Sequence, residues 1–477
     1  MESQNSESVC QLLNFDITIR GSAAPYSVTA SYRQRTAEGA FALDLTQEAW
    51  QEQCRRLGQV DEAPGTAFIR HVGSQIFQDL FRDQVRDLWI RARSDLETGQ
   101  AEGVRLRLAL YPPAVAALPW ESLYDPDRNM AFGASGRTPL VRVENLFQHV
   151  GPSREIQASL PLHLLLAAPE DPTGLMAAQA EIQLVRQMAE RLGPAQMQVT
   201  TLEGRFGILE LHQALQTHRP DILYVASHGE PDGILLWQQD VPHLATSESL
   251  RVTLERATSV KLVFLNACLA GQGSAQARFT SVGSQLLQAG VPAVIAMQYP
   301  IPDEVAVDFA RHLFDELLNG PCPGAIDMAV AGARSTLYML APHTFSYGTP
   351  ILWLNAEDGR ILRLPRGSVG SASTARPSMA RPHPAPVHLD LSQEEAWLAE
   401  LVAGLDLTRL PGQLRFIARS WEESVEECRS LLYQLRHLEQ QGDEPRYAAK
   451  VSQYRAHQQR MERLRSSLED AIRGHGG

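Results

Sequence analysis

Cysteine is scarce in this 477-residue sequence: Cys10, Cys54, Cys268, Cys322 and Cys428 are odd in number, far apart and contain no CxxC pair. That pattern predicts neither a disulfide framework nor a zinc site, and it fits a reducing compartment. Long apolar runs are missing too; none nears the roughly 20 residues that a membrane-spanning helix needs. The opening stretch MESQNSESVCQLLNF has neither the basic nor the apolar region of a signal peptide. Positive charge is in deficit, with 43 Lys and Arg against 55 Asp and Glu and a formal net charge of −12. Such a chain repels nucleic acid and anionic membrane at long range, so the expectation is a cytoplasmic protein that partners neither. No GxxxxGKS, GxxxxGKT or HExxH occurs, which argues against a P-loop nucleotide enzyme and predicts no metal or other cofactor.

What is present divides into four parts. Residues 1–150 mix strand-like pieces (FDITIR 15–20, YSVTASYR 26–33, VRLRLAL 104–110) with one amphipathic helix expected over 66–93, its apolar positions being Ile69, Val72, Ile76, Phe77, Leu80 and Phe81. LPWESLYDP (118–126) reads as a compact apolar turn that Pro119 and Pro126 keep irregular. Residues 151–364 have another rhythm. Short apolar runs at 161–168, 198–204, 221–229, 260–268 and 293–298 alternate with helical patterns at 176–192, 206–217, 246–257, 280–290 and 303–318. Near-continuous apolar strands separated by helices predict an α/β fold with a mostly parallel sheet covered on both faces. Residues 365–391, rich in Pro, Ser, Ala and Arg, read as a linker. Residues 392–477 read as a helical bundle: Trp421, Val425, Cys428, Leu431, Leu432 and Leu435 line one helix face, and Val451, Tyr454, Met461, Leu464 and Leu468 another.

Two strand ends carry the chemistry. DILYVAS runs into His228-Gly229, and VKLVFL into Asn266-Ala267-Cys268, followed by a small-residue loop. In a parallel sheet, reacting groups gather at the carboxyl ends of strands. A thiol beside an imidazole there gains thiolate at neutral pH, where a free cysteine with a pKa near 8.5 has little. A glycine after the histidine lets backbone approach closely, so the N–H groups of Gly229 and Cys268 are the candidate oxyanion donors.

At these residues the sequence resembles the CHAT-domain branch of the caspase-like peptidases, relatives of caspases and separases. SHG (227–229) and NACLAG (266–271) carry the resemblance. LPWESLYDP, RTPLVR (137–142), GVPAVIAMQYPIPDE (290–304) and GTPILW (348–353) support it in the same order over about residues 105–355. The resemblance implies a caspase-like fold, with the upstream half of the CHAT domain from about 105 and a catalytic domain to 364; the N-terminal α+β half and the C-terminal helical, adaptor-like domain are read from the sequence pattern. It implies peptide cleavage through an acyl-enzyme thioester, with Cys268 as nucleophile and His228 as general base, in a bacterial defence or cell-death setting such as antiviral defence. Substrate-binding candidates are Asn266 and Asp303. By resemblance to separases Asp303 would favour a basic side chain on the substrate; by helix chemistry it and Glu304 would cap the next helix. Glu230 and Asp232 read as solvated loop carboxylates, so no third catalytic residue is assigned.

The expected partners are a protein substrate and an activating or sensor protein docked through the C-terminal helices. The rival readings are a non-catalytic caspase-fold scaffold and an amidase or acyl-transfer enzyme acting on small molecules. The loop 269–279 is expected to rearrange on activation.

Overall fold

The computed structural model describes residues 12–44, 48–58, 63–144, 160–171, 178–230, 232–269, 276–363 and 391–402, with single positions between 425 and 465. The expected linker, 365–391, therefore falls almost entirely outside the described residues. Two compact units result, one built from residues 1–170 and 178–369, the other from 171–177 and 370–477.

The first unit opens with β1 (Leu12–Arg20), β2 (Tyr26–Tyr32) and β3 (Arg35–Phe41), an antiparallel meander. Helices α1 (Glu48–Leu57), α2 (Thr66–Leu80) and α3 (Asp83–Glu97) follow, then β4 (Gly103–Leu110), the one-turn α4 (Pro113–Ala116), a ribbon of β5 (Tyr124–Asp125) and β6 (Met130–Ala131), and β7 (Leu140–Arg142). The single helix expected over 66–93 is two helices. Phe81 leaves helical backbone at φ −94°, ψ 75°, and Asp83 restarts it at φ 46°. The apolar stripe runs unbroken across the break, so periodicity could not show it. The break aims Phe81 at Phe77, Trp89 and Phe132. It also lets Asp79 accept from the Ala42 and Leu43 N–H groups at 2.7 and 2.8 Å while pairing with Arg82.

The LPWESLYDP turn is the hub of this half. Trp120 and Glu121 are fully buried, and the Trp120 indole donates to the Val115 carbonyl at 2.8 Å. Glu121 Oε2 accepts from Arg142 and from Gln298, both at 2.9 Å, and Arg334 lies 3.8 Å from Oε1. α2 crosses this turn at Gly73, where a Cβ would stand 1.8 Å from the Ser122 carbonyl oxygen. Gly73→Ala is therefore expected to destabilise the unit by roughly 1–3 kcal/mol, as overpacking does, read as a lower urea midpoint at unchanged slope.

The second half continues the same sheet with β8 (Leu162–Pro169), α5 (Ala178–Leu192), β9 (Met197–Gly204), α6 (Ile208–His218), β10 (Ile222–Glu230), β11 (Gly233–Gln238), β12 (Val241–Thr246), α7 (Ser247–Arg256), β13 (Leu262–Leu269), α8 (Gln276–Gln288), β14 (Ala293–Met297), α9 (Asp303–Asn319), α10 (Ile326–Leu340) and β15 (Pro350–Leu354). The order is β12-β11-β10-β13-β14-β15-β7-β4-β1-β2-β3, with β8 pairing β10 and β9 pairing β8. Strands from both sides of residue 150 thus share one thirteen-stranded, mixed but largely parallel sheet. β10, β13 and β14 are parallel neighbours, and β15 runs against β14.

Both faces of this sheet are covered, which is why its strands read as apolar runs. On one face Leu223, Val225, Val263, Leu265, Val294 and Ala296 pack under α6, α7 and α8. On the other, Tyr224 stacks on Phe264 with ring centroids 4.6 Å apart, and Phe264 meets Phe309 of α9. Each fully buried aromatic or aliphatic side chain of this kind contributes roughly 1.5–3 kcal/mol. Among the described residues no helix is long and apolar enough to cross a membrane.

The second unit contains α11 (Leu391–Val402) and helical positions within 425–439 and 451–465. Val425, Cys428, Leu431, Leu432, Leu435, Val451, Tyr454 and Met461 are buried as the sequence pattern predicts. Glu394 ties the stretches together: it accepts from Tyr454 at 3.1 Å and Gln458 at 3.0 Å, and pairs with Arg455. Burial and this carboxylate push the Tyr454 phenol far above its ordinary range.

Candidate active site

The two chemical strands are neighbours, in register from Ile222 opposite Leu262 to Gly229 opposite Leu269. His228 of β10 is the direct partner of Cys268 of β13. Neighbouring strands lie about 4.8 Å apart; the side chains of Ala267, Cys268 and Leu269 lie outside what is described. Both strands run slightly past these residues, β10 to Glu230 and β13 to Leu269, where the sequence suggested that they stop.

His228 sits at a fork. Along its inner half, Ile222 to Val225, β10 is flanked by β8; from Gly229 onward it is flanked by β11. Ala226, Ser227 and His228 lie where β8 and β11 diverge, and His228 is half-buried while Ser227, pointing to the other face, is buried and donates to the Leu235 carbonyl at 2.6 Å. Gly229 is buried between Leu269 on one side and Ile234 on the other. The hairpin that forms the outer arm of the fork, β11–β12, was not read from the sequence.

Beneath the pair lies a buried polar cluster that sequence reasoning also missed. Asn266, two residues before Cys268, is 3% exposed, and its Nδ2 donates to Oε1 of Glu181 at 2.6 Å. The Tyr224 hydroxyl, four residues before His228, donates to the same oxygen at 2.6 Å. Glu181 comes from α5 and is 1% exposed. Because Glu181 accepts, the Asn266 amide nitrogen must face it, and Asn266 Oδ1 is buried without a hydrogen-bond partner among the described residues.

Asp303 is the first residue of α9, reached from the carboxyl end of β14. Its side chain and that of Glu304 lie outside what is described, as do residues 270–275 of the loop expected to rearrange; α8 already begins at Gln276. Asp232 is exposed. The other cysteines differ in state. Cys54 and Cys428 form no disulfide, and burial raises the Cys54 pKa to about 12. Cys322 is disulfide-bonded, where the sequence led to the expectation of no disulfide framework. Widely separated cysteines give no spacing signal for a single bridge.

A half-buried histidine thus stands opposite a cysteine at the carboxyl edge of a mostly parallel, helix-covered sheet. The family model of the CHAT domain matches residues 70–357. The chain belongs to the CHAT-domain family. No curated protein matches it. Among solved structures it is similar to a chain of the Saccharomyces cerevisiae separase–securin complex at 3.0 Å, with TM-score 0.43 and 11% identity over 72% of this chain and 30% of that one. A second structure of that complex, at 2.6 Å, gives TM-score 0.34 and 13% identity over 66% and 20%. The sequence thus spans less than a third of the chains it resembles in these structures.

Proposed function

We propose that this chain is a cysteine endopeptidase that cleaves a protein partner through His228 and Cys268. The observation that carries the reading is the direct register pairing of the two residues on neighbouring parallel strands. His228 takes the Cys268 proton, and the thiolate attacks the scissile carbonyl carbon. The N–H groups of Gly229 and Cys268 donate to the oxyanion. The His228 imidazolium then gives its proton to the leaving amine as the C–N bond breaks, leaving a thioester that water hydrolyses. A thiol and an imidazole supply every step, so no metal or other cofactor is invoked.

Asn266 Oδ1, on the nucleophile strand itself, is an acceptor without a donor among the described residues, and a substrate donor group would complete it. Asp303 would add negative charge from the neighbouring strand's end, favouring a basic substrate side chain. The helical segment from 392 is the part we assign to an activating or sensor protein. Cytoplasmic action belongs to the same reading and rests on cysteine usage and sequence composition, while a role in antiviral defence rests on family resemblance.

The test is mapping of new N-termini by mass spectrometry after incubating the full chain, with and without candidate partner proteins, with a proteome-derived peptide library. Cuts made by the wild-type chain and absent with Cys268→Ala support the reading. A library left intact by the chain under every partner condition returns the protein to the scaffold reading.

A further inference from the structure

Glu181 belongs to none of the catalytic roles above, yet it touches both strands that bear them. Its Oε1 accepts from Tyr224 of β10 and from Asn266 of β13, each at 2.6 Å. A hydroxyl-to-carboxylate contact of that length falls in the range of charge-assisted bonds, about 2.5–2.7 Å, and double acceptance at one oxygen offsets part of the desolvation that burial costs a carboxylate. At about 3.3 Å of rise per residue, Asn266 lies roughly 7 Å along its strand from Cys268. The Glu181 charge therefore lies within roughly 10 Å of both dyad residues, beneath the sheet's covered face where salt screens it little.

Other ionisable groups occupy the elements packed against α5. On β10 these are Tyr224, His228 and Glu230, whose side chain lies outside what is described, and on β8 the exposed His163. On β9 Glu203 pairs with Arg186 of α5 itself at 2.6 Å. On the described part of α9, Asp308 and Arg311 pair with each other at 3.1 Å. Near them burial and Arg311 hold His312 below its usual range, while burial and Asp315 raise Glu316. None of these carboxylates is shown hydrogen-bonded to the two catalytic strands as Glu181 is.

We propose that Glu181 is a positioning residue of the dyad, whose buried carboxylate ties the His228 strand to the Cys268 strand and sets a negative charge beneath both. The inference rests on the dyad reading above. A nearby negative charge raises the pKa of every acid around it, thiol and imidazolium alike. Removing it must therefore move both titrations to lower pH, whereas mere loosening of the fold changes the rate without moving them.

The experiment is the rate of Cys268 alkylation by iodoacetamide against pH on the full chain, with Cys268→Ala as blank. Glu181→Gln is expected to move the profile to lower pH by about half to one unit, so the variant reacts faster than wild type at the acid end. Glu181→Asp is expected to keep the wild-type position, and Glu181→Gln/Asn266→Asp, which returns one charge nearer the thiol, to lie at or above it. A Glu181→Gln profile that stays put or moves to higher pH overturns the proposal. Should that variant not fold, the double variant decides, and a profile below wild type overturns the proposal. A wild-type Cys268 that titrates like a free thiol near pH 8.5 instead sinks the dyad reading itself.

Discussion

Cys268→Ala is expected to slow cleavage of any peptide that the wild-type chain cuts by at least about 10⁴-fold, with His228→Ala close behind and the double variant no worse than either. The non-additivity follows from the two groups acting as one unit. Without the imidazole the thiol keeps its proton at neutral pH, and the leaving amine has no acid to take one from. Without the sulfur there is no acyl-enzyme for the imidazole to serve. Single-turnover kinetics on one mapped peptide measures all three, with a thermal melt to show that the variants are folded. Independent, additive losses would mean that the paired residues do not work together.

The largest expected effect on stability lies at Glu121. Its carboxylate is fully buried with Arg142 and Gln298 at 2.9 Å and Arg334 at 3.8 Å, the two arginines being 3% and 1% exposed. Burial, with the Arg142 charge adding to it, already pulls Arg334 down to about 10. Glu121→Ala leaves two buried guanidinium groups facing each other without an anion. Breaking a buried ion pair from one side costs about 3–5 kcal/mol. For a unit of this size the melting temperature should fall on the order of 5–10 °C. A loss under about 1 kcal/mol in urea titration would show that water enters and solvates the arginines. The network matters to the site because Gln298 follows directly on β14, the strand beside the one that carries Cys268.

The helix-covered sheet was legible because burial on both faces forces strands such as VKLVFL and AVIAM to be apolar throughout, and helices separate them. The two site residues were legible as polar groups where such runs end. Their pairing was not, since register is decided by which strands meet and not by either strand alone. The β11–β12 hairpin escaped because its two-residue turn is Gln239-Asp240, both at positive φ (51° and 61°), where Asn-Gly would have announced it. The α2/α3 break hid behind a continuous apolar stripe. Glu181 was invisible for a different reason: one acidic residue in the first turn of a helix looks like ordinary N-terminal chemistry. Only the folded chain sets it against Tyr224 and Asn266.

The dyad is tested most directly by alkylating the full chain at pH 6 and at pH 8.5, wild type against His228→Ala, and mapping the modified cysteines by mass spectrometry. Cys54, whose thiol burial raises to about 12, serves as the internal reference for an inert cysteine. The account predicts that wild-type Cys268 is labelled at pH 6 nearly as fast as at pH 8.5, and that His228→Ala abolishes the labelling at pH 6. Equal labelling of Cys268 in the two proteins, rising with pH like that of a free thiol, would contradict it.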